Sequence, residues 1–321
     1  MTIKRYTSED RPVWDEFVRK SRNGTFLFER AYMDYHRDRF EDHSLMYFDN
    51  KNRLIALLPG CAIGPFVSEK VYSSHSGLTY GGFVLAPRTR STVILDIFSA
   101  TKDYLKTCGF SSWLYKQVPS IYHRIPSEED EYALWMNNAK LEECNLSIAI
   151  DLQNYRLAYS NPEKERRRRI AVQEGFVVAE TDDYSALWPI VESLLKNKYG
   201  VAPVHSLEEI TMLHKSFPNN IRCFEATLNG KVEAGIVVYE SNQVAHSQYS
   251  EATDEGMSKG AVVFLVKHLI DYYISERPEI RYFDFGISNE EQGCFLNKTL
   301  ASFKEEFGGR GVACRIYRIT L

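Results

Sequence analysis

The chain lacks the features of several protein classes. Its six cysteines include no C-x-x-C pair and no histidine at metal-ligand spacing, so we expect reduced thiols and no metal site. It has no run of eighteen or more apolar residues, and its first residues, MTIKRYTSEDRPVW, contain no apolar signal segment. The formal net charge is only -4, which argues against DNA binding over a broad surface. These absences predict a cytoplasmic protein without a membrane span.

The composition that remains is that of a folded protein with a large core. The chain has 321 residues, of which 44% are hydrophobic and 26% charged, and this length allows two domains of ordinary size. Predicted elements recur in the same order in both halves, and the long helices near Thr92 and Ala261 lie 169 residues apart. We predict an α+β (mixed α/β) fold of two domains, residues 1–152 and 153–321, each with a central, mostly antiparallel sheet flanked by helices.

Turn and capping signals place the elements within each half. In the first half, the pattern predicts a helix from Ala31 to Phe40 and one strand from Leu54 to Ala62. In the second half, Asn229-Gly230 joins two strands as a hairpin. Val244 to Ser250 reads as a third strand, after which a glycine-bearing loop from Glu251 to Gly260 leads into the long helix.

The last forty residues carry the most informative pattern. Arg281 to Gly286 predicts a strand with a carboxylate, Asp284, at its end. A helix should follow, because an apolar stripe then recurs at helical spacing before Gly308-Gly309 ends it. The chain closes with a predicted strand from Val312 to Ile319. The members of the stripe are Leu296, Leu300, Phe303 and Phe307.

The motif Tyr282-Phe283-Asp284-Phe285-Gly286, followed by Phe303-Lys304 and Phe307-Gly308-Gly309, resembles the C-terminal signature of the FemAB-like branch of the GNAT acyltransferase superfamily. The resemblance implies two GNAT-type domains in one chain. It also implies direct transfer of an acyl group to an amine, with no covalent enzyme intermediate. The implied donor is acyl-CoA, such as acetyl-CoA.

In the GNAT plan, the loop before the long helix binds the pyrophosphate of the donor. By this resemblance we expect the cofactor-binding residues to be Ser250, Gly256, Lys259, Gly260 and Asn297. The loop departs from the superfamily pattern Gln/Arg-x-x-Gly-x-Gly/Ala, and its carboxylates would repel a phosphate. A solvated acidic loop before a core helix is the alternative interpretation.

Amide formation needs a base for the amine, and a buried carboxylate or histidine can supply it. We name Asp284 as the first candidate for the base or the amine anchor, with His246 and Glu251 after it, and Lys304 as a further catalytic candidate. The alternative is that Asp284 serves the fold by capping or by pairing with Lys304. The candidate substrate-binding residues are Gln248 and Tyr249 in the second half, and His75, Tyr80, Gly81 and Lys116 in the first.

The acceptor suggested by the resemblance is an amine, for example an amino sugar of a cell-surface glycan precursor. An aminoacyl-tRNA-dependent ligase of the Fem type is the first alternative, because the run Lys164 to Arg169 contains four consecutive arginines that suit phosphates. A solvated basic helix paired to neighbouring glutamates explains the same run. A GNAT-fold protein that binds a glycan or a nucleotide without turnover is the second alternative.

Overall fold

The computed structural model describes residues 1–63, 70–158 and 161–321. They form two compact units. Unit 1 comprises Met1–Asn145, Glu291–Gly293 and Ala313–Leu321, and unit 2 comprises Leu146–Glu290 and Cys294–Val312. The predicted boundary between residues 152 and 153 stays a prediction. Within the described ranges, no helix has the length and apolar character needed to cross a membrane.

Unit 1 begins with a strand and a helix and contains one long helix near its middle. Its elements are β1 (Thr2–Arg5), α1 (Arg11–Lys20), α2 (Arg30–Met33), β2 (Leu45–Phe48), β3 (Leu54–Leu58), β4 (Cys61–Ile63), β5 (Val71–Ser73), β6 (Val84–Leu85), α3 (Ser91–Thr107), β7 (Ser112–Lys116) and α4 (Glu129–Met136).

Unit 2 repeats the scheme of helices, hairpin, third strand and long helix. Strand β8 (Lys140–Asp151) begins in unit 1 and ends in unit 2, and the last strand, β16 (Arg310–Thr320), begins in unit 2 and ends in unit 1. The elements between them are α5 (Tyr155–Ala158), α6 (Pro162–Glu174), β9 (Val177–Thr181), α7 (Trp188–Tyr199), α8 (Leu207–Ser216), β10 (Ile221–Leu228), β11 (Lys231–Ser241), β12 (Val244–Ala252), α9 (Asp254–Ser258), α10 (Ala261–Glu276), β13 (Tyr282–Ile287), β14 (Asn289–Glu290), β15 (Phe295–Leu296) and α11 (Lys298–Glu305).

In unit 1 the long helix lies, along the chain, between two strands that pair in parallel. Strand β5 runs parallel to β7, with Val71 opposite Ser112 and Ser73 opposite Leu114, and α3 connects the two. The antiparallel neighbours are β4 beside β5 and the last residues of β16 beside β7. Trp113 of β7 is fully buried and packs against the ring of Phe98 of α3, with centroids 5.3 Å apart. Aromatic packing therefore fixes the long helix against this pair.

Unit 2 also has a long helix between two parallel strands. These strands belong to a larger sheet, in which the strand order is β8-β13-β12-β11-β10-β9. Strand β12 runs parallel to β13, with α10 between them in sequence, and the other neighbours are antiparallel. Helix α10 packs its apolar side against Ile236, Val238, Ala245 and Phe283 of the sheet. In this unit the sequence predicted the long helix and the strands on either side of it.

Local signals explain the most regular parts of unit 2. Asn161 caps α6 by accepting the N–H groups of Glu163 and Lys164, and Gly175 ends this helix in a left-handed conformation. Asn229 and Gly230 both have positive φ, as the tight turn between β10 and β11 requires. The hairpin lies where the sequence predicted it.

Several predicted elements are wrong in detail. The helix expected from Ala31 to Phe40 is short, because α2 ends at Met33 and a 3-10 turn follows. The strand expected from Leu54 to Ala62 is divided into β3 and β4, since its two parts pair with different strands. Leu296 belongs to β15 and not to the helical stripe, and it is exposed.

Glu225 of β10 is a buried carboxylate that should weaken unit 2. Its Oε1 atom has no hydrogen-bond partner among the described residues, and burial raises the pKa of the carboxyl above its ordinary value of 4.5. The folded state therefore holds this proton to a higher pH than the unfolded state does, so stability falls as the pH rises through that window. We expect Glu225→Gln to stabilise the protein by about 1 kcal/mol at pH 7.5.

Urea unfolding of both proteins at pH 7.5 and pH 4 measures this effect. The gain should vanish at pH 4, because both side chains are then neutral. A Glu225→Gln variant that is less stable than the wild type at pH 7.5 would contradict the prediction.

Candidate active site

Strands β12 and β13 diverge, and a histidine and an aspartate stand where they part. Their parallel pairing runs from Val244 opposite Tyr282 to His246 opposite Asp284. Beyond this point β12 follows β11 as far as Ala252, whereas β13 follows β8. His246 and Asp284 are therefore the last pair before the two strands separate.

Asp284 is held by donors on three sides. The hydroxyl of Ser147 on β8 and the backbone N–H of Gly286 both donate to Oδ1, the latter over 2.9 Å. Oδ2 lies 3.0 Å from Nδ1 of His246. The side chain is only 4% exposed. Because these donors all favour a carboxylate, we treat Asp284 as ionised and His246 as the donor of its Nδ1–H.

This assignment leaves Nε2 of His246 as the basic nitrogen of the pair. The His246 side chain is 14% exposed, so it is more accessible than the aspartate. A carboxylate on Nδ1–H fixes both the ring orientation and the tautomer. His246 is thus the more accessible of the two predicted candidates, and which of them takes a proton from a substrate stays a prediction.

Lys304 stabilises the backbone next to this pair. Gly286 has φ of +76° and lies at a bulge between β13 and β8, where a Cβ atom would stand 3.3 Å from the His246 ring. From α11, the ammonium of Lys304 donates to the carbonyl oxygens of Gly286 over 2.9 Å and of Ile287 over 2.7 Å. Burial lowers the pKa of Lys304 to about 8, and the negative charge of Asp284 acts in the opposite sense. Lys304 thus bonds the carbonyls of the bulge, and its pairing with Asp284 stays a prediction.

A second bulge changes which residues of β12 share the face of His246. Ser247 pairs with Val238 and Tyr249 with Val237, so Gln248 is the extra residue. Strict alternation along β12 would place Gln248 and Ser250 on the His246 face, but the bulge interrupts it. Tyr249 and Glu251 lie on that face instead.

Two residues that contact the predicted candidates were not identified from the sequence. Ser147, the partner of Asp284, belongs to β8, which the alternation of Leu146, Ile148 and Ile150 would have revealed. His205 precedes α8, and its Nδ1 lies 2.7 Å from the hydroxyl of Tyr249. No local pattern indicates this second contact, because 44 residues separate the partners.

The residues predicted to bind the donor pyrophosphate make bonds within the protein. The predicted loop contains the short helix α9, in which the N–H of Gly256 donates to the Thr253 hydroxyl. The N–H of Gly260 donates to the carbonyl of Met257, and a Cβ at Gly260 would meet the backbone of α6. Lys259 pairs with Glu174 and Glu255. Their role as cofactor ligands stays a prediction.

Ser250 and Asn297, the other two predicted cofactor residues, lie in different settings. Ser250 is exposed and pairs with Ile236, whose side chain belongs to the opposite, α10-covered face of the sheet. Asn297 caps α11 by accepting the N–H of Leu300, and its amide donates to Glu290. The structure does not bring either of them to His246.

The arginine run of α6 is largely paired with its own helix. Arg166 and Arg167 bond Glu163, and Arg168 bonds Glu165. These contacts match the interpretation of a solvated basic helix.

A groove of about 630 Å³ lies between α7 and the end of β12. Its lining is mainly apolar, with Ile190 and Leu194 from α7 and Met257 from α9, and it carries one carboxylate, Asp254. A volume of this size suits a small molecule.

The predicted substrate residues of unit 1 gather around the end of β7. The backbone carbonyl of Lys116 accepts the N–H of Gly81, its own N–H donates to the Ser74 hydroxyl, and its ammonium donates to the carbonyl of Leu78. Burial lowers the pKa of Lys116 to about 8. Lys116 thus binds the glycine-rich segment of residues 74–82 to the end of β7.

His75 and Tyr80 are buried on either side of this segment. His75 has φ of +71°, and its ring stacks on His36 with centroids 5.3 Å apart. Burial lowers the pKa of His75 to about 3, so the imidazole is neutral at physiological pH. The hydroxyl of Tyr80 donates to the Thr25 hydroxyl over 3.1 Å. Whether these side chains bind substrate stays a prediction.

The family of unit 2 follows from a match over most of its length. Residues 162–292 match the family model described as an acetyltransferase (GNAT) domain. This part of the chain, which is less than half of it, is therefore similar to a GNAT domain. The match spans α6 to β14 and includes both His246 and Asp284. No curated protein matches the chain.

Solved structures share the fold of the whole chain at low sequence identity. FemX is 8% identical with a TM-score of 0.72, over 100% of this chain and 98% of that one. L-PGS from Bacillus licheniformis is 12% identical with a TM-score of 0.59, over 98% and 92%. A tandem GNAT protein from the clavulanic acid biosynthesis pathway is 12% identical with a TM-score of 0.54, over 99% and 98%. At such identities the likeness concerns the fold.

The predicted resemblance and fold class are confirmed by these findings. The chain has a mixed α/β fold with GNAT-like units in tandem, as the FemAB-like motif implied. The GNAT domain supports an acyltransferase activity. Among the described side chains, no group of three or more His, Cys, Asp and Glu could hold a metal ion.

Proposed function

We propose that this protein is an N-acyltransferase in which His246 takes the proton of the acceptor amine and Asp284 positions His246. The hydrogen bond between Nδ1 of His246 and Oδ2 of Asp284, at the point where β12 and β13 diverge, carries the proposal. This pair lies inside the GNAT domain. A neutral imidazole is a suitable base near neutral pH.

The proposed reaction is a direct transfer. The amine nitrogen attacks the acyl carbonyl carbon and forms the new C–N bond, while Nε2 of His246 accepts the proton released from nitrogen. The bond to the donor's leaving sulfur or oxygen atom then breaks, and the leaving group takes up a proton. Asp284 stabilises the imidazolium that forms, because its carboxylate already accepts the Nδ1–H.

Acyl-CoA is the first donor to test, because the family match is to an acetyltransferase domain. The first acceptor class is a primary amine on a sugar, such as an amino sugar of a cell-surface glycan precursor, and the cytoplasm is the proposed location. Aminoacyl-tRNA is the second donor candidate. The carboxylates of Asp254 and Glu255 on α9 would repel the diphosphate of an acyl-CoA bound at that position, and this repulsion favours the alternative donor.

A transfer assay tests the proposed function. The purified chain is incubated with acetyl-CoA and a panel of amino sugars and amino acids, and released thiol and acylated product are both measured. We expect acceptor-dependent thiol release that the His246→Asn variant loses. Binding of acetyl-CoA without turnover in any arm, with equal binding by Asp284→Asn, would instead identify a non-catalytic binding protein.

A second arm addresses the donor. Aminoacyl-tRNA replaces acetyl-CoA, and product formation is followed at increasing salt, since tRNA binding should weaken steeply with salt. Turnover in this arm alone would exclude the acyl-CoA version.

A further inference from the structure

Tyr249 shares a sheet face with the proposed base and is held by a second histidine. Register pairing places Tyr249 opposite Val237 and His246 opposite Tyr239, on the same side of β12 and β11. Their partners on β11 are two residues apart, and the bulge at Gln248 adds no length along the sheet, so their Cα atoms lie about 7 Å apart. Two long side chains at this spacing can reach different atoms of one reacting carbonyl group.

The contacts of the Tyr249 hydroxyl fix its position. The backbone N–H of His205 donates to this oxygen over 3.3 Å, and Nδ1 of His205 lies 2.7 Å from it. The ring of Tyr249 packs edge-on against Trp188 of α7, with centroids 5.1 Å apart. His205 is 2% exposed and Tyr249 8% exposed, so packing restricts both side chains. When Nδ1 of His205 carries the proton, His205 donates two hydrogen bonds to the phenol oxygen of Tyr249. These bonds occupy both lone pairs of that oxygen, and the O–H of Tyr249 then points away from His205.

We propose that the Tyr249 hydroxyl donates a hydrogen bond to the acyl oxygen as negative charge develops on it, and that His205 is the positioning residue of Tyr249. This inference rests on the proposed function, which supplies the acyl carbonyl. An oriented donor in a site shielded from water stabilises such an oxyanion, and removing one commonly costs about 10²-fold in kcat. No proton is transferred in this step, since the hydroxyl keeps its hydrogen throughout.

The test compares kcat and KM for the acceptor in the full chain. We expect Tyr249→Phe to lower kcat about 30- to 100-fold while KM changes less than about threefold. His205→Ala should have a similar effect, because the tyrosine loses its orientation. His205→Asn should restore kcat to within about fivefold of the wild type, because the amide nitrogen can occupy the position of Nδ1.

A matched pair in the same unit provides the control. Tyr184 and His214 are also buried neighbours, with ring centroids 5.5 Å apart, and both contact the carbonyl of Ile221. Tyr184→Phe and His214→Asn should leave kcat unchanged. Thermal unfolding of every variant separates a loss of fold from a loss of rate.

The outcomes are distinct. A Tyr249→Phe or His205→Ala variant with the kcat of the wild type overturns the inference and leaves the proposed function intact. If Tyr249→Phe does not fold, the His205 variants decide, and equal rates for His205→Ala, His205→Asn and the wild type overturn the inference. A wild-type protein that transfers no acyl group to any acceptor refutes the proposed function and this inference together.

Discussion

Replacing His246 by asparagine is expected to lower kcat/KM for acyl transfer by about 10²- to 10³-fold, the range of a lost general base. Asparagine keeps a donor near the position of Nδ1 and so retains the bond to Asp284, but it has no counterpart of Nε2. The experiment therefore removes the proposed base and keeps the geometry around it. Steady-state kinetics of the wild type and the variant under the same conditions measure the effect.

The control for this prediction is an exposed histidine of the same unit. His268 lies on the exposed side of α10, and His268→Asn should transfer at the wild-type rate. A further variant, Asp284→Asn, should lose activity by a factor similar to that of His246→Asn, because an amide would favour the wrong tautomer of His246. Full activity in the His246→Asn variant would show that His246 is not the base. Asp284 or Glu251 would then be the candidate for that role.

Replacing Lys304 by methionine is expected to have the second largest effect. The variant leaves the carbonyls of Gly286 and Ile287 without their buried donor, which costs about 2 kcal/mol or more in unfolding free energy. The bulge at Gly286 supplies one of the N–H groups that hold Asp284. We therefore expect kcat to fall at least about tenfold through a displaced His246–Asp284 pair.

The pH dependence of the unfolding free energy tests whether the pKa of Lys304 is lowered. Burial lowers the pKa of Lys304 from 10.5 to about 8, so the unfolded state binds the proton first as the pH falls. The cost of the buried charge is complete below pH 8 and diminishes above it. Relative to the Lys304→Met variant, the wild type should gain about 2 kcal/mol of unfolding free energy between pH 7 and pH 9.5.

Urea unfolding of both proteins at the two pH values measures this difference, in which other titrating groups cancel. Lys298→Met serves as the control, because Lys298 is exposed on the first turn of the same helix and should show no such change. A difference between the wild type and Lys304→Met that is independent of pH would mean that Lys304 keeps an ordinary pKa.

The sequence alone determined the parts of the fold that short-range chemistry governs. The Asn161-Pro162 cap, the Asn229-Gly230 turn and the limits of the long helix α10 follow from residues within a few positions of each other. The repeated element order and the motif around Asp284 likewise indicated tandem GNAT-like domains. These features can be predicted from the sequence because capping, turn geometry and hydrophobic periodicity act locally.

Only the tertiary structure decided how the candidate residues combine. A bulge at Gln248 places Tyr249 and Glu251 on the His246 face, and nothing in the residue type of Gln248 predicts this bulge. Ser147 reaches Asp284 across 137 residues, and Lys304 bonds carbonyl groups that every sequence contains. These contacts depend on strand register and on the backbone path, which side-chain patterns along the chain do not encode. The sequence therefore supplied the residues of the candidate site, and the pairing of β8, β12 and β13 assigned them their partners.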